Sequence, residues 1–552
     1  MKDSFDFIVV GAGSSGCVTV NRLVLEHGAR VLLLEAGPSN NNQIIKMPAG
    51  TLKMIYGKTP FVKRIRSMPQ PSLGGRAIDV AQGNVVGGGS SVNVMLYARG
   101  SRLDYDLWDK ATGGAGWGWD DLIPYFRRQE GNQRLQNEAH GSEGPLKVSD
   151  APYLIEADSL FLRTMQNLNI PYTDDFNSGN LHGVGLTQST VYRGRRCSSA
   201  DAFLSPILND PRLTLVTSAR VNRILFEGTR AVGVEYVVDD ITHQASTTGE
   251  VILTAGAFVS PQLLMLSGIG PCKHLEEHGI KTLVDSPGVG QNLQDHHVAI
   301  LSATTKRPIG YFGEDTGLKA LKNAIQYFAF KNSGPIGSTG SETMAFVNLD
   351  DPEADPDIQI YCIGAMWPTV KRGPTDAVTL MANLVKPLSR GTVKLRSANP
   401  ADHPEVDLRW LSDPSDRRRM LQSLKYLREI VATAPFSSVI DEIFSPVNQI
   451  QSDEALLDYI HQTTESNYHP VGTCRMGQED DPMSVLTPDL KVKGVQNVRV
   501  FDCSMMPIII SANTNATAMA VAEKGVDHMM GKISLRTPGR QTSVSTAEST
   551  RS

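Results

Sequence analysis

The feature that most constrains the fold is a glycine-rich turn between an apolar strand and a helix near the start of the chain. Residues 5–10 read FDFIVV, residues 11–16 read GAGSSG, and an apolar run at 30–34 ends at Glu35. The apolar runs are nearly continuous, as in parallel strands that are covered on both faces. The segment therefore predicts a βαβ unit, in which a helix over 17–27 connects two parallel strands.

The glycines of this turn and Glu35 predict a nucleotide cofactor. Glycine lets the backbone approach a pyrophosphate, and the helix N-terminus offers free N–H groups and the positive end of a dipole. Glu35 lies 24 residues after Gly11 and can accept hydrogen bonds from both hydroxyl groups of an adenosine ribose. The alternative is a tight glycine turn without a ligand. The motif alone does not distinguish NAD from FAD.

Composition excludes several classes of protein. The formal net charge of the 552 residues is −5, whereas a nucleic-acid-binding protein needs a basic face. The sequence has no run of about 18 apolar residues, so we expect no membrane span. The first residues lack the apolar core of a secretory signal, which favours a cytoplasmic location.

Cysteine and histidine patterns do not indicate a metal site. None of the six cysteines forms a CxxC pair, which argues against a disulfide framework and against a cysteine zinc site. Residues 274–278 read HLEEH and match the HxxEH zinc-protease pattern, but the segment reads as a charged helix face. His296 and His297 lack further ligands at a suitable spacing. We therefore predict no bound metal.

Further elements follow from local patterns. Charged helices are predicted near 120–130, 318–331 and 416–432, and alternating segments between about 335 and 410, such as 392–395, predict a second sheet with antiparallel character. Long loops are expected near 36–85, 173–200 and 304–318, where Gly, Pro and Asp are frequent. Residues 535–552 read as a disordered tail.

Five further segments carry a family resemblance. They are GNVVGGGSSVN at 83–93, GAFVSPQLLMLSGIG at 256–270, PGVGQNLQDH at 287–296, HPVGTCRMG at 469–477 and NTNA at 513–516. In this order they resemble the signature segments of the glucose-methanol-choline (GMC) oxidoreductases, a family of FAD-dependent alcohol oxidases and dehydrogenases. The resemblance extends from about residue 5 to residue 530.

The resemblance implies an α/β fold with two domains. One is a Rossmann-type FAD-binding domain with a parallel sheet, assembled from residues 1–154, 205–300 and 470–534. The other is an α+β substrate-binding domain with a largely antiparallel sheet, formed by residues 155–204 and 301–469. We expect the FAD to be noncovalent, because Val92 stands where some family members carry a histidine that tethers the flavin.

The resemblance also implies a reaction and its two catalytic residues. An alcohol C–H donates hydride to flavin N5 while His469 takes the hydroxyl proton, and Asn513 donates its amide N–H to the substrate oxygen. A neutral histidine suits this role, since its reference pKa is about 6.5. The alternative for His469 is a structural histidine before a proline turn. Tyr468 is either part of the pocket wall or an ordinary packed tyrosine.

By the same resemblance, a larger set of residues is expected to contact FAD through the pyrophosphate turn, the 83–96 loop, the adenine strand and the C-terminal segment. These residues are Gly11, Gly13, Ser14, Ser15, Gly16, Glu35, Ala36, Val85, Gly88, Asn93, Val94, Met95, Leu96, Val221, Asp502, Asn513 and Thr514.

Several properties stay open at this point. The substrate is a small-molecule alcohol of unidentified structure, and the electron acceptor is oxygen, a quinone or another compound. The sequence does not give the oligomeric state. Two alternatives to an oxidoreductase remain, namely a flavin-binding lyase of the hydroxynitrile lyase type and a non-catalytic flavoprotein.

Overall fold

The structure, a computed structural model, describes residues 4–330, 333–370 and 372–533 and is built around two seven-stranded sheets. The predicted tail at 535–552 lies outside the described residues. None of the helices in the described ranges is long and apolar enough to cross a membrane. The α/β class and the pairing of a parallel with an antiparallel sheet are confirmed.

The first sheet is parallel at its centre and antiparallel at one edge. Its strands follow the order Leu213–Val216, Val31–Leu34, Ser4–Val10, Ile241–Leu253, Arg230–Val238 and Arg220–Glu227, and Val498–Val500 pairs with the end of Ile241–Leu253. The first four strands and Val498–Val500 run parallel, and the last two strands form antiparallel pairs. The central residues Ile8, Val9 and Leu33 are fully buried, as their continuous apolar runs predict.

The second sheet is antiparallel throughout. Its order is Ile440–Ser445, His297–Thr305, Ala377–Leu384, Ile358–Ile363, Thr343–Val347 and Gly183–Leu186, with Glu465–Ser466 paired beside His297–Thr305. The helix Pro414–Ala432 packs on this sheet through an apolar face that includes Met420, Leu424 and Leu427.

The helices connect and cover these sheets. The α-helices of four or more residues are Ser14–His27, Gln43–Lys46, Gly50–Tyr56, Arg102–Ala111, Trp119–Gln129, Glu156–Asn167, Gly256–Leu266, Cys272–Glu277, Gly317–Ala329, Pro414–Ala432, Asp453–Thr463 and Asn515–Met529. Among the smaller strands, Leu146–Asp150 pairs with both Glu130–Asn132 and Gln188–Ser189. The other pairs are Val62–Arg66 with Asp79–Gly83, Val191–Tyr192 with Arg195–Arg196, Ile269–Gly270 with Val284–Asp285, and Thr392–Lys394 with Glu405–Asp407.

The predicted helices near 120–130, 318–331 and 416–432 are present within one or two residues wherever the structure describes them, and Lys331 lies outside the described residues. Two other expectations are wrong. The segment 392–395 belongs to a two-stranded ribbon and not to the second sheet. Residues 36–85 are not one long loop, because they form two helices and a β-hairpin. The apolar side chains of Ile45, Met54, Val62 and Ile65 in these elements are buried.

The proposed domain division stays a prediction. Strands of the first sheet come from residues 4–253 and 498–500, and strands of the second come from 183–186 and 297–466. The strand His297–Thr305 crosses the predicted boundary at residue 300.

Candidate active site

A cavity of about 1330 Å³ brings together segments that lie far apart in the sequence. The glycine turn, the 83–96 loop and Val221 line it, and so do His469 and Asn513. Of the predicted cofactor residues, fifteen of the seventeen face this cavity: Gly11, Gly13, Ser14, Ser15, Glu35, Ala36, Gly88, Asn93, Val94, Met95, Leu96, Val221, Asp502, Asn513 and Thr514.

Gly16 and Val85 do not line the cavity. A Cβ at Gly16 would lie 2.0 Å from the Gly11 carbonyl oxygen, so this glycine allows the helix to pack against its own turn. The Val85 side chain is fully buried in an apolar cluster with Ile45 and Met54. Both residues support the cavity wall from behind.

The glycine turn leaves space at the N-termini of two helices. Gly11 has φ +102°, and a Cβ at Gly88 would lie 2.7 Å from the Cα of Gly13, so the two glycine loops touch backbone to backbone. Ser14 Oγ donates to Asn515 Oδ1 over 2.6 Å, which joins the starts of the helices Ser14–His27 and Asn515–Met529. Two helix dipoles thus present their positive ends to the cavity, an arrangement that suits a pyrophosphate.

Glu35 is held in place by the backbone of the turn. Its carboxylate accepts hydrogen bonds from Ala12 N and Gly37 N, each over 2.8 Å. Burial raises the pKa of Glu35 to about 7. The carboxylate lies at the carboxyl end of the strand Val31–Leu34, where ligands of parallel sheets bind.

The loop expected beside the flavin is fixed by an arginine that sequence reasoning missed. Arg196 is 3% exposed, and its guanidinium donates to Asn93 O over 2.7 Å and to Asn93 Oδ1 over 2.8 Å. It also donates to Ser90 O and to Thr51 Oγ1. Its neighbours Arg193 and Arg195 make the sequence read as a solvated basic turn, so no local signal identifies Arg196.

His469 and Asn513 lie side by side, as the resemblance implies. His469 Nε2 lies 3.3 Å from Asn513 Nδ2, and the backbone N–H of His469 donates to Asp295 Oδ1 over 2.8 Å. Burial lowers the pKa of His469 to about 4, so the ring is neutral near pH 7.

A second histidine determines which nitrogen of His469 carries the proton. His296 Nε2 lies 3.1 Å from the Val385 carbonyl oxygen, which only accepts, so this nitrogen carries the hydrogen of the neutral ring. His296 Nδ1 is then an acceptor, and it lies 3.0 Å from His469 Nδ1. His469 Nδ1 therefore donates to it, and the lone pair of His469 Nε2 faces Asn513 and the cavity. Burial also holds the pKa of His296 well below its usual value.

The amide of Asn513 is oriented by two residues of the second sheet. Gln359 Nε2 donates to Asn513 Oδ1 over 3.3 Å, and Asn513 Nδ2 donates to the Tyr361 hydroxyl over 3.2 Å. Tyr361 in turn donates to Gln359 Oε1 over 2.8 Å. The N–H face of the amide thus lies toward His469. Gln359 and Tyr361 alternate on an ordinary apolar strand, and the sequence marks neither of them.

Two other predicted residues have distinct surroundings. The Asp502 carboxylate accepts from Gly256 N, Ser260 Oγ and Ser504 N, so it joins the start of the helix Gly256–Leu266 to the segment that follows the strand Val498–Val500. Tyr468 lines the cavity, and its hydroxyl lies 3.5 Å from that of Tyr56. The Tyr56 ring meets Trp367 edge to face at 5.6 Å, which makes this part of the wall aromatic.

The histidine motif of residues 274–278 has a structural contact. His274 Nε2 accepts a hydrogen bond from Leu395 N over 3.0 Å, so the ring ties its short helix to the ribbon at 392–394.

Comparison with known proteins gives consistent matches along the chain. Two family models, both described as GMC oxidoreductase, match residues 5–298 and 387–522. An "Alcohol dehydrogenase [acceptor]" from Pseudomonas putida is 39% identical over 545 residues, which cover 96% of each chain. The mitochondrial choline dehydrogenase of Homo sapiens is 36% identical over 543 residues, covering 97% of this chain and 91% of that protein.

Solved structures share the whole fold. Pyridoxine 4-oxidase from Mesorbium loti superposes with a TM-score of 0.86 at 29% identity, covering 95% of this chain and 99% of that one. A formate oxidase structure gives a TM-score of 0.88 at 27% identity, covering 96% and 99%. A fungal aryl-alcohol oxidase gives 0.85 at 26% identity, covering 96% and 100%.

Proposed function

The chain belongs to the GMC oxidoreductase family, and from this premise we propose that it uses FAD to oxidise an alcohol CH–OH group to a carbonyl. The relatives reported above are named as alcohol, choline, pyridoxine, formate or aryl-alcohol oxidoreductases. The comparisons give no support to the lyase alternative.

The observation that carries the proposal is the lone pair of His469 Nε2, which faces the cavity beside the amide N–H of Asn513. An alcohol placed between them gives its hydroxyl proton to His469 Nε2. Asn513 Nδ2 donates to the substrate oxygen as negative charge develops on it. When bound, FAD would supply the acceptor for the hydride of the alcohol carbon, and loss of that hydride together with the hydroxyl proton would leave a carbonyl.

Burial affects the protonation of His469 in two ways. It keeps His469 neutral at the start of the reaction, because the pKa near 4 lies well below physiological pH. It also disfavours the imidazolium that forms, which makes His469 a weaker proton acceptor than a free imidazole and favours release of the proton after the hydride has left. His296 supports both states of the base, because its Nδ1 accepts from His469 Nδ1 throughout.

The cofactor would be held by the residues that line the rest of the cavity. Gly11, Gly13 and the N-termini of two helices suit the pyrophosphate, and Glu35 suits the adenosine ribose. The Asn93–Leu96 segment, which Arg196 fixes, would lie against the flavin. We propose noncovalent binding, since Val92 offers no side chain that forms a bond to the ring.

The direct test is the substitution His469→Ala in the purified flavoprotein. Under anaerobic conditions with a panel of alcohols, it should slow flavin reduction by about 10²–10⁴-fold, the usual contribution of a positioned general base. Asn513→Ala should have a smaller effect, because it removes one donor and not the proton acceptor. FAD should stay bound in His469→Ala, because the glycine turn and Glu35 are unchanged.

His461→Ala is the matched control. His461 lies on the helix Asp453–Thr463, does not line the cavity, and carries no role in the proposed reaction. If His469→Ala reduces flavin at the wild-type rate while His461→Ala does not, the assignment of the base is wrong. If none of the alcohols bleaches the flavin of the wild type, the proposed activity itself is wrong.

The electron acceptor and the location are further parts of the proposal. We propose that the reduced enzyme passes its electrons to oxygen, a quinone or another acceptor, and stopped-flow reoxidation with each compound distinguishes them. We also propose a cytoplasmic location. The six cysteines are all free, as is usual in a reducing compartment, and cell fractionation tests this point.

A further inference from the structure

The helix Gly317–Ala329, which we name the mouth helix, separates the cavity from the outside. On its inner side, Ala320 and Asn323 line the cavity. The segment before it also lines the cavity, and there Phe312 and Thr316 are exposed. The cavity thus reaches the protein surface beside the start of this helix.

The outer side of the mouth helix is apolar and uncovered. Leu318 is 85% exposed, Leu321 58%, Ile325 51% and Phe328 67%. Their spacing of three, four and three residues places them on one face of the helix. Phe330 follows at 63%. Soluble surfaces rarely expose contiguous apolar residues in this way, and such a patch marks a contact surface.

The charges on and around this face are mostly positive, although the whole chain carries a net charge of −5. Within the mouth helix, the charged residues are Lys319 and Lys322. The Tyr327 hydroxyl donates to Gly194 O over 3.1 Å, which brings the turn with Arg193 and Arg195 beside the helix. The nearby acidic groups are Glu314, which pairs with Lys319 over 2.9 Å, the exposed Asp315, and Asp376, whose charge also acts on Lys319.

We propose that the mouth helix docks on the surface of an anionic lipid bilayer. An apolar face flanked by lysine and arginine is the pattern of helices that lie in the membrane interface. Its 13 residues extend about 20 Å, too short to cross a hydrocarbon core of about 30 Å, so the helix lies in the interface plane.

The charge distribution favours a bilayer over a second copy of the chain. In a two-fold contact through this face, Lys322 of one mouth helix would lie near that of its copy, because Lys319 pairs with Glu314 and the mouth helix itself carries no acidic residue. An anionic surface attracts the lysines and arginines around this face, each contributing up to about 1 kcal/mol near the membrane. The proposal concerns this surface alone and does not depend on the reaction at His469.

The test is sedimentation of the FAD-loaded enzyme with lipid vesicles. We expect strong binding to vesicles of phosphatidylcholine mixed with phosphatidylglycerol and weak binding to phosphatidylcholine alone. The triple variant Leu318→Ser, Leu321→Ser and Phe328→Ser should bind mixed vesicles at least about 100-fold more weakly, because it removes most of the apolar contact. Lys319→Gln with Lys322→Gln should weaken binding to mixed vesicles by up to about 30-fold and leave binding to neutral vesicles unchanged.

A second triple variant is the matched control. Leu25→Ser, Ile241→Ser and Leu388→Ser remove three side chains that are 54%, 61% and 51% exposed and belong neither to the mouth helix nor to the cavity wall. This variant should bind vesicles like the wild type. All variants should keep the melting temperature and the turnover with a water-soluble dye as acceptor, which shows that they are folded.

Three results would overturn the proposal. The first is a wild type that does not sediment with mixed vesicles. The second is an equal loss of binding in both triple variants, and the third is a mouth-helix variant that binds like the wild type. Light scattering, which measures the oligomeric state, distinguishes a lipid bilayer from a second copy of the chain as the partner of this face. A wild-type dimer that becomes monomeric in the mouth-helix variant, without vesicle binding, would assign the face to a second copy of the chain.

Discussion

Replacing His296 removes the acceptor that fixes the tautomer of His469, and this change should slow the chemical step specifically. In the structure, His469 Nδ1 donates to His296 Nδ1 over 3.0 Å, and the lone pair of Nε2 faces Asn513. In His296→Leu, the proton on Nδ1 has no acceptor in a buried site. The tautomer with its proton on Nε2 then becomes the more stable one, and it cannot accept a proton from an alcohol.

The size of the effect follows from the cost of a buried, unpaired donor, which is about 1–3 kcal/mol. A free-energy difference of this size between the two tautomers of His469 lowers the population of the productive tautomer, and therefore kcat, by about 5- to 150-fold. KM should change little, because His296 does not line the cavity. The loss should be the same at every pH above about 5, since burial lowers the pKa of His469 to about 4.

His296→Asn is the informative partner of this variant. The asparagine Oδ1 stands where His296 Nδ1 stood and accepts from His469, whereas leucine has nearly the same shape and accepts nothing. Both substitutions lose the bond to Val385 O, so a general loss of stability affects them equally. Anaerobic stopped-flow reduction should show that Asn restores most of the rate. Equal rates for His296→Asn and His296→Leu would refute the tautomer argument.

Three further predictions concern the cofactor and the buried histidines. Acid precipitation should release the flavin into the supernatant, and yellow colour that stays with the washed pellet would show a covalent bond. Gly88→Ala should weaken FAD binding in a fluorescence titration, because the new Cβ would lie 2.7 Å from Gly13 Cα. Gly373→Ala is the control, since nothing lies within 4 Å of its Cβ position and Gly373 does not line the cavity. His297 is buried, both of its ring nitrogens lack hydrogen-bond partners among the described residues, and burial lowers its pKa to about 4. Below about pH 6.5 the His297 imidazole of the unfolded chain becomes protonated, whereas that of the native chain stays neutral. At pH 5 this difference lowers the stability of the native state by roughly 2 kcal/mol. His297→Leu should therefore raise the melting temperature more at pH 5 than at pH 8.

Local chemistry explains which parts of the site could be predicted from the sequence. The glycine turn and Glu35 are readable because a close backbone approach needs glycine and because the carboxylate follows its strand at a fixed distance. The His469 and Asn513 positions were available only through the family segments, and their roles still rest on that resemblance.

The remaining parts of the site act across long sequence distances. Arg196 reaches Asn93 from a basic turn, and Gln359 and Tyr361 reach Asn513 from a strand of the second sheet. His296 read as a weak candidate for a metal ligand, because no pattern in the sequence indicates that its ring meets His469. Such contacts depend on how the two sheets meet, and no local periodicity encodes that.

The arrangement of the first sheet has a consequence for biosynthesis. The last three residues of the strand Ile241–Leu253 have Ser4–Val10 on one side and Val498–Val500 on the other. A growing chain therefore carries an open strand edge from the synthesis of residue 253 until residue 500 leaves the ribosome. The helix that starts at Asn515 and completes the anion-binding end of the cavity is made later still. The cavity wall is therefore complete only when nearly the whole polypeptide has been made, and a chain that stops short of residue 513 lacks both this helix and the proposed oxygen-binding amide.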